Sequence, residues 1–139
     1  MQLMTLDDII SCSSGSMPLP PTLHDRWSGD VAALSGSDAA KASAFAEIIA
    51  AHTQPLRRYH GVRHLEALFA HLDEHAPVDA PVALHFAVWW HDVVYEPHTS
   101  DNESRSAELA RKRLNELGAP PPVLASTVAL ILATQNHWQ

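Results

Sequence analysis

Histidine is the residue type that stands out in this chain, with ten among 139 residues. His60 and His64 are four residues apart, a spacing that places both side chains on one face of a helix. His91 and Asp92 are adjacent and follow the most apolar stretch of the sequence, and His137 lies near its end. Imidazole and carboxylate groups together suit Mn, Fe, Ni or Zn better than Mg. A metal held in this way brings the pKa of a bound water close to neutrality, so the pattern indicates hydrolytic chemistry.

Each of these features also has a simpler interpretation. A pair of histidines four apart is commonly a coincidence on a helix surface. A His-Asp pair at the end of a helix can also do no more than interact with the helix dipole. A polar pair at the end of so apolar a segment is costly unless it is paired or metal-bound, however, and the combination therefore favours a metal site.

Composition excludes several functional classes. The formal net charge is −7, from nine basic and sixteen acidic residues, which argues against binding a DNA or RNA duplex. One cysteine, Cys12, leaves no internal disulfide and no cysteine-rich zinc module. No apolar run reaches the ~18 residues of a membrane span, and the N-terminus lacks a basic signal region. We therefore expect a cytoplasmic protein without a membrane partner.

Apolar residues recur at intervals of three and four along the chain, and nowhere alternate with polar residues as in a strand. This pattern predicts the helices that must position the histidines. We expect an all-α fold, a bundle of about six helices. Residues 1–20, rich in Ser, Gly and Pro, are predicted to form a flexible N-terminal arm, and residues 21–139 one helical domain. The helices are predicted to begin after Thr22, after Asp38, near His60, at Val82, at Asp101 and at the prolines 120–122.

The predicted helix from Val82 to about Val93 is apolar nearly all round, which is typical of a buried central helix. Trp89 and Trp90 are expected to pack in the core. His85 is expected to be either structural, packed in the core with a hydrogen bond, or solvent-facing.

Local signals predict where the other helices begin and end. Thr22 and Asp38 are candidate N-caps, and Ser100 with Glu103 fits a capping box. Gly118 is a typical glycine at a helix end.

The chain resembles the HD-domain superfamily of metal-dependent phosphohydrolases in three segments: RRYHGVRH, ALHFAVWWHDVVYEPHTSDNESRSAELA and LILATQNH. It is most similar to a branch of small bacterial HD proteins with the patterns R-x-YHN-x-x-H, WFHD-x-VYD-P, DNE-x-S-A and T-x-x-H. The resemblance covers about residues 23–139. It implies an HD-type helical fold, a divalent metal ion, and hydrolysis of a phosphomonoester or phosphodiester, with a nucleotide as the expected substrate.

The resemblance also implies roles for individual residues. His64 matches the first metal ligand of the superfamily, and His91 and Asp92 match its HD doublet. His60 matches the histidine that cyclic-nucleotide phosphodiesterases use to protonate the leaving group. Gly61 departs from the family's pattern, which has Asn at this position.

Residues outside the ligand set have weaker assignments. Asp101 and Glu103 match the DNE segment and are expected near the substrate or a metal-bound water. His137 matches the T-x-x-H position and is expected to contact phosphate or a second metal. Arg57 and Arg63 flank His60, and as arginines they either bind a substrate phosphate bidentately or belong to a solvated face.

The superfamily's last ligand, an aspartate on a later helix, has no counterpart after His137. We expect a chain that is truncated at its C-terminus, a ligand supplied by another subunit with exchanged helices, or an inactive site. The apolar last helix favours the first two and predicts a homo-oligomer. The alternative function is a non-catalytic regulatory module that binds a nucleotide or a metal.

Overall fold

The structure is a computed structural model that describes residues 21–55, 61–77 and 80–135. Across those ranges it contains six α-helices and no β-strand, which confirms the predicted all-α bundle. The helices are α1 (Leu23–Val31), α2 (Asp38–His52), α3 (Val62–His75), α4 (Val82–Trp90), α5 (Asn102–Glu116) and α6 (Pro121–Ala133). The predicted N-terminal arm, residues 1–20, lies outside the described residues. None of these helices combines the length and apolar character needed to cross a bilayer.

The first two helices begin at polar caps. Thr22 caps α1 in a capping box with Asp25, as predicted. The prediction that Asp38 caps α2 is wrong by one residue, because the Ser37 hydroxyl accepts a hydrogen bond from the Ala40 amide at 3.0 Å. Asp38 is instead the first helical residue, where its negative charge suits the helix dipole.

Helix α4 is the centre of the bundle, as its apolar sequence predicts. Phe86, Trp89 and Trp90 are fully buried, and Trp27 of α1 packs edge-on against both tryptophans. The helix ends at Trp90 rather than near Val93, since the chain turns immediately after it. His91 and Asp92 therefore lie in the turn that follows the buried helix.

Polar contacts fix how α4 is rotated against α1. The Trp89 indole N–H donates to Asp30 Oδ2 at 2.8 Å, and His85 Nδ1 lies 3.1 Å from Asp30 Oδ1. Burial raises the pKa of Asp30 above its ordinary value, although the hydrogen bond from Trp89 and the charge of His85 act in the opposite direction. The structure therefore supports the structural role predicted for His85.

Helices α5 and α6 are joined by a tight turn and pack on each other and on α4. Gly118 has a φ of 83°, and the Ala119 amide donates to the Leu114 carbonyl at 2.9 Å, which completes a Schellman motif at the end of α5. The loop before α2 packs on this turn, where the Gly36 amide donates to the Leu117 carbonyl at 2.8 Å.

We predict that Gly118→Ala lowers the free energy of unfolding by at least about 1–2 kcal/mol, since a side chain is disfavoured at positive φ. The added Cβ would also lie 2.1 Å from the Ser35 hydroxyl oxygen. Gly29→Ala is the matched control, because no heavy atom lies within 4 Å of its added Cβ. The control should gain about 0.5–1 kcal/mol from the helix preference of alanine. Urea unfolding measures the free energy of unfolding of each variant. Equal values for Gly118→Ala and Gly29→Ala would contradict this description of the turn.

Candidate metal centre

Three of the predicted ligands converge on one point. His64 comes from the first turn of α3, and His91 and Asp92 come from the turn after α4. Each offers one ligand atom, and the three atoms lie within 4.8 Å of one another. Asp92 Oδ2 is 3.0 Å from His91 Nε2 and 3.6 Å from His64 Nε2. The structure therefore brings together two segments that are well separated in the sequence.

The orientation of His91 is fixed by the backbone of its own helix. Its Nδ1 lies 2.9 Å from the Val88 carbonyl oxygen, where an N–H at Nδ1 donates and leaves Nε2 to face Asp92. A hydrogen bond of this kind on the far nitrogen is what orients histidines that bind metals. Burial acts to lower the pKa of His91, but the hydrogen bond with Asp92 and its negative charge outweigh it and raise the pKa.

The donor set fits a divalent transition metal. Two ligand atoms of one such ion, each about 2.0–2.2 Å from it, are roughly 3.0–3.5 Å apart, close to the shorter separations in this group. Two imidazoles and a carboxylate match the preference of Zn, Fe, Mn or Ni. The carboxyl end of α4, at which His91 lies, carries partial negative charge that favours a cation. The group could therefore hold a metal ion with side-chain movements of about an ångström.

A polar clasp holds the loop that follows the His-Asp pair. The buried Ser106 hydroxyl accepts from the Val94 amide at 3.0 Å, two residues beyond Asp92. Asn102 accepts from the Glu96 amide at 3.1 Å and donates to the Glu96 carbonyl at 3.0 Å. This clasp ties the loop to the first turns of α5 and so limits the positions that Asp92 can take.

Asn102 and Ser106 were not predicted as site residues, because only their charged neighbours Asp101 and Glu103 were assigned a role in that motif. The signal was present in the DNESRSA segment, because short polar side chains at a helix start commonly bind nearby backbone groups. The loop also includes His98 with a φ of 76°, a conformation that is uncommon for histidine. Thr99 donates to Asn102 Oδ1 at 2.9 Å and stabilises that turn.

The capping box predicted from Ser100 and Glu103 is wrong. Asp101 occupies the N-cap position of α5, and its side chain makes no capping hydrogen bond. The physical reason is that Asn102 reaches back to Glu96, so that the loop approaches the helix through the clasp.

The remaining predicted site residues are placed only in part. Asp101 is exposed and Glu103 is half-buried on the first turn of α5, and neither belongs to the three-residue group. Arg63 is exposed beside His64. Helix α3 begins at Val62, with Gly61 as its N-cap. The remaining predicted residues, His60, Arg57 and His137, lie outside the described residues, so their roles stay predictions.

Comparison of the chain with family models, curated proteins and solved structures gave no match. The resemblance to HD phosphohydrolases therefore stands on the three sequence segments alone. The geometry of His64, His91 and Asp92 supports metal binding independently of that resemblance.

A metal measurement on this chain must allow for a second histidine pair. His71 and His75 are exposed on α3 with ring centroids 4.4 Å apart, an arrangement that can chelate a transition metal adventitiously. The double variant His71→Ala, His75→Ala removes this pair without touching the candidate centre, and is the appropriate background for the test.

In that background we predict binding of one Zn²⁺ or Mn²⁺ per chain. Adding His91→Ala should weaken binding by more than about 100-fold, beyond the 10–100-fold typical of losing an outer contact. Calorimetric titration together with elemental analysis measures both quantities. Equal affinity with and without His91 would show that the metal binds elsewhere.

Proposed function

We propose that this protein is a metal-dependent phosphohydrolase of the HD type that acts on a phosphomonoester or phosphodiester. The observation that carries the proposal is the convergence of His64, His91 and Asp92 from two separate segments onto one point. The resemblance assigns the same three residues to the metal from the sequence alone, so the two observations are independent. A nucleotide is the substrate that the resemblance implies.

The bound metal would supply a water of lowered pKa and would polarise the phosphoryl group. His64, His91 and Asp92 hold it, and the Val88 carbonyl keeps His91 in the required tautomer. Asn102 and Ser106 steady the loop next to Asp92, which preserves the geometry during turnover.

The other roles in the proposal follow the resemblance. His60 protonates the leaving oxygen, and Arg57 or Arg63 binds the phosphate. His137 makes a further phosphate contact or binds a second metal. We also propose that the protein forms a homo-oligomer in the cytoplasm, which is supported by the exposure of Leu130 and Leu132 on α6, at 37% and 39%.

We predict that the protein loaded with Mn²⁺ or Zn²⁺ hydrolyses phosphate esters, and that His64→Ala and His91→Ala abolish the activity together with metal binding. His60→Ala should lower kcat by about 10²–10⁴-fold, the usual contribution of a general acid, and leave the metal content unchanged. The His71→Ala, His75→Ala variant is the control and should retain full activity.

Release of inorganic phosphate from a panel of nucleotides and simpler esters measures the rates. Binding of metal and nucleotide without any hydrolysis would contradict the enzyme proposal and favour the non-catalytic regulatory module. Hydrolysis that persists in His91→Ala would contradict the assigned site.

A further inference from the structure

An apolar groove lies directly beside the candidate metal centre. Leu68 of α3, Leu84 and Val88 of α4, and Leu130 of α6 contribute aliphatic walls, and the space measures about 300 Å³. That volume is near the lower limit for small-molecule pockets.

The groove and the metal group share one side chain. His91 lines the groove, and its Nε2 lies 3.0 Å from Asp92 Oδ2 in the metal group. A ligand in the groove would therefore contact a residue that also belongs to the metal group. Because the groove and the metal group share His91, a single molecule could occupy both, which favours the substrate over an unrelated ligand as the occupant of the groove.

Among the described residues that line the groove, only Thr134 and His91 have polar side chains, and each already uses a hydrogen-bond donor within the protein. The Thr134 hydroxyl donates to the Ile131 carbonyl at 2.6 Å, and His91 Nδ1 is paired with the Val88 carbonyl. These residues therefore offer a ribose or the edge of a nucleobase few replacements for its hydrogen bonds to water, which makes burial of such a group costly. An aromatic or aliphatic group would lose none and would gain from burial.

We propose that this groove binds the organic group of the substrate, and that the substrate is a phosphate monoester of an apolar aryl or alkyl alcohol. The inference rests on the proposed function for its phosphate half. For the organic half it departs from the nucleotide that the resemblance implies and replaces it with an apolar ester. In the reaction, water adds to phosphorus and the bond between phosphorus and the alcohol oxygen breaks. The leaving oxygen takes up a proton, so the products are the alcohol, released from the groove, and inorganic phosphate.

The first arm of the test measures binding without catalysis. 1-Naphthol carries the apolar group alone, and the protein with its metal removed should bind it, as followed by tryptophan fluorescence or calorimetry. Ala133→Phe fills the groove and Leu130→Ser makes its rim polar, and each should weaken naphthol binding by about tenfold or more. Ala125→Phe, an exposed position on the same helix that does not line the groove, is the matched control.

The second arm uses the metal-loaded protein. 1-Naphthyl phosphate should bind at least about tenfold more tightly than inorganic phosphate, because it adds the groove contacts to the phosphate contacts. AMP, which has the same phosphate and a polar ribose, should bind more weakly than 1-naphthyl phosphate. Ala133→Phe should remove the advantage of the naphthyl ester without changing metal affinity.

Several results would overturn the inference. Naphthol binding that is unchanged in both Ala133→Phe and Leu130→Ser would contradict it. Tighter binding of AMP than of 1-naphthyl phosphate would also contradict it. A dimer that Ala133→Phe dissociates, with no effect on naphthol, would assign the groove to an interface between copies of the chain. If the protein binds 1-naphthol but neither metal nor phosphate, the proposed function is contradicted, whereas the groove is still confirmed as a binding site for an apolar group.

Discussion

Burial of helix α4 fixes the positions of the helices that pack around it. Trp89 and Trp90 are completely removed from solvent, and aromatic side chains of this size bury about 150–250 Å² each. At about 25 cal/mol per Å², each contributes up to roughly 4–6 kcal/mol of burial free energy. The helices of the bundle pack around these two rings and Phe86, so the end of α4 is fixed with respect to its neighbours.

The placement of the candidate metal centre follows from that constraint. A helix as apolar as α4 brings its C-terminal residues to the edge of the core, and His91 and Asp92 are the first polar residues there. Helix α3 packs on α4 through Phe69, whose ring centroid lies 4.7 Å from that of Trp89, and its first turn carries His64. The clasp of Asn102 and Ser106 then holds the chain beyond Asp92. Core packing and a few polar contacts therefore preorganise the three side chains.

The helices were predictable from the sequence because they depend on strong local signals, whereas the candidate ligand group was predicted mainly from the resemblance to the HD superfamily. The spacing of apolar residues predicted the helices, and the run before His91 predicted which helix is central. The capping details were less predictable. Asp38 and Ser37 are both good cap residues, and only the path of the chain decides between them. Ser100 likewise has a good cap side chain, but α5 begins two residues later, at Asn102, whose side chain binds the backbone of Glu96.

The groove beside His91 could not be predicted, because it is a property of three helices together. Leu68, Leu84 and Leu130 each read in the sequence as an ordinary apolar position on a helix. They enclose a space only because α3, α4 and α6 meet there and their side chains do not fill it. The sequence did indicate that α6 is too apolar for a fully solvated helix. Part of its apolar surface, including the exposed part of Leu130, lines the groove.

A crystal structure of the His71→Ala, His75→Ala variant with Zn²⁺ or Mn²⁺, with data collected at the absorption edge of the metal, would locate the bound ion. The proposed metal site predicts one anomalous peak about 2.0–2.2 Å from Nε2 of His64, Nε2 of His91 and a carboxylate oxygen of Asp92. A fully loaded protein whose peak lies away from these three atoms, or one with no ordered metal at all, would contradict it.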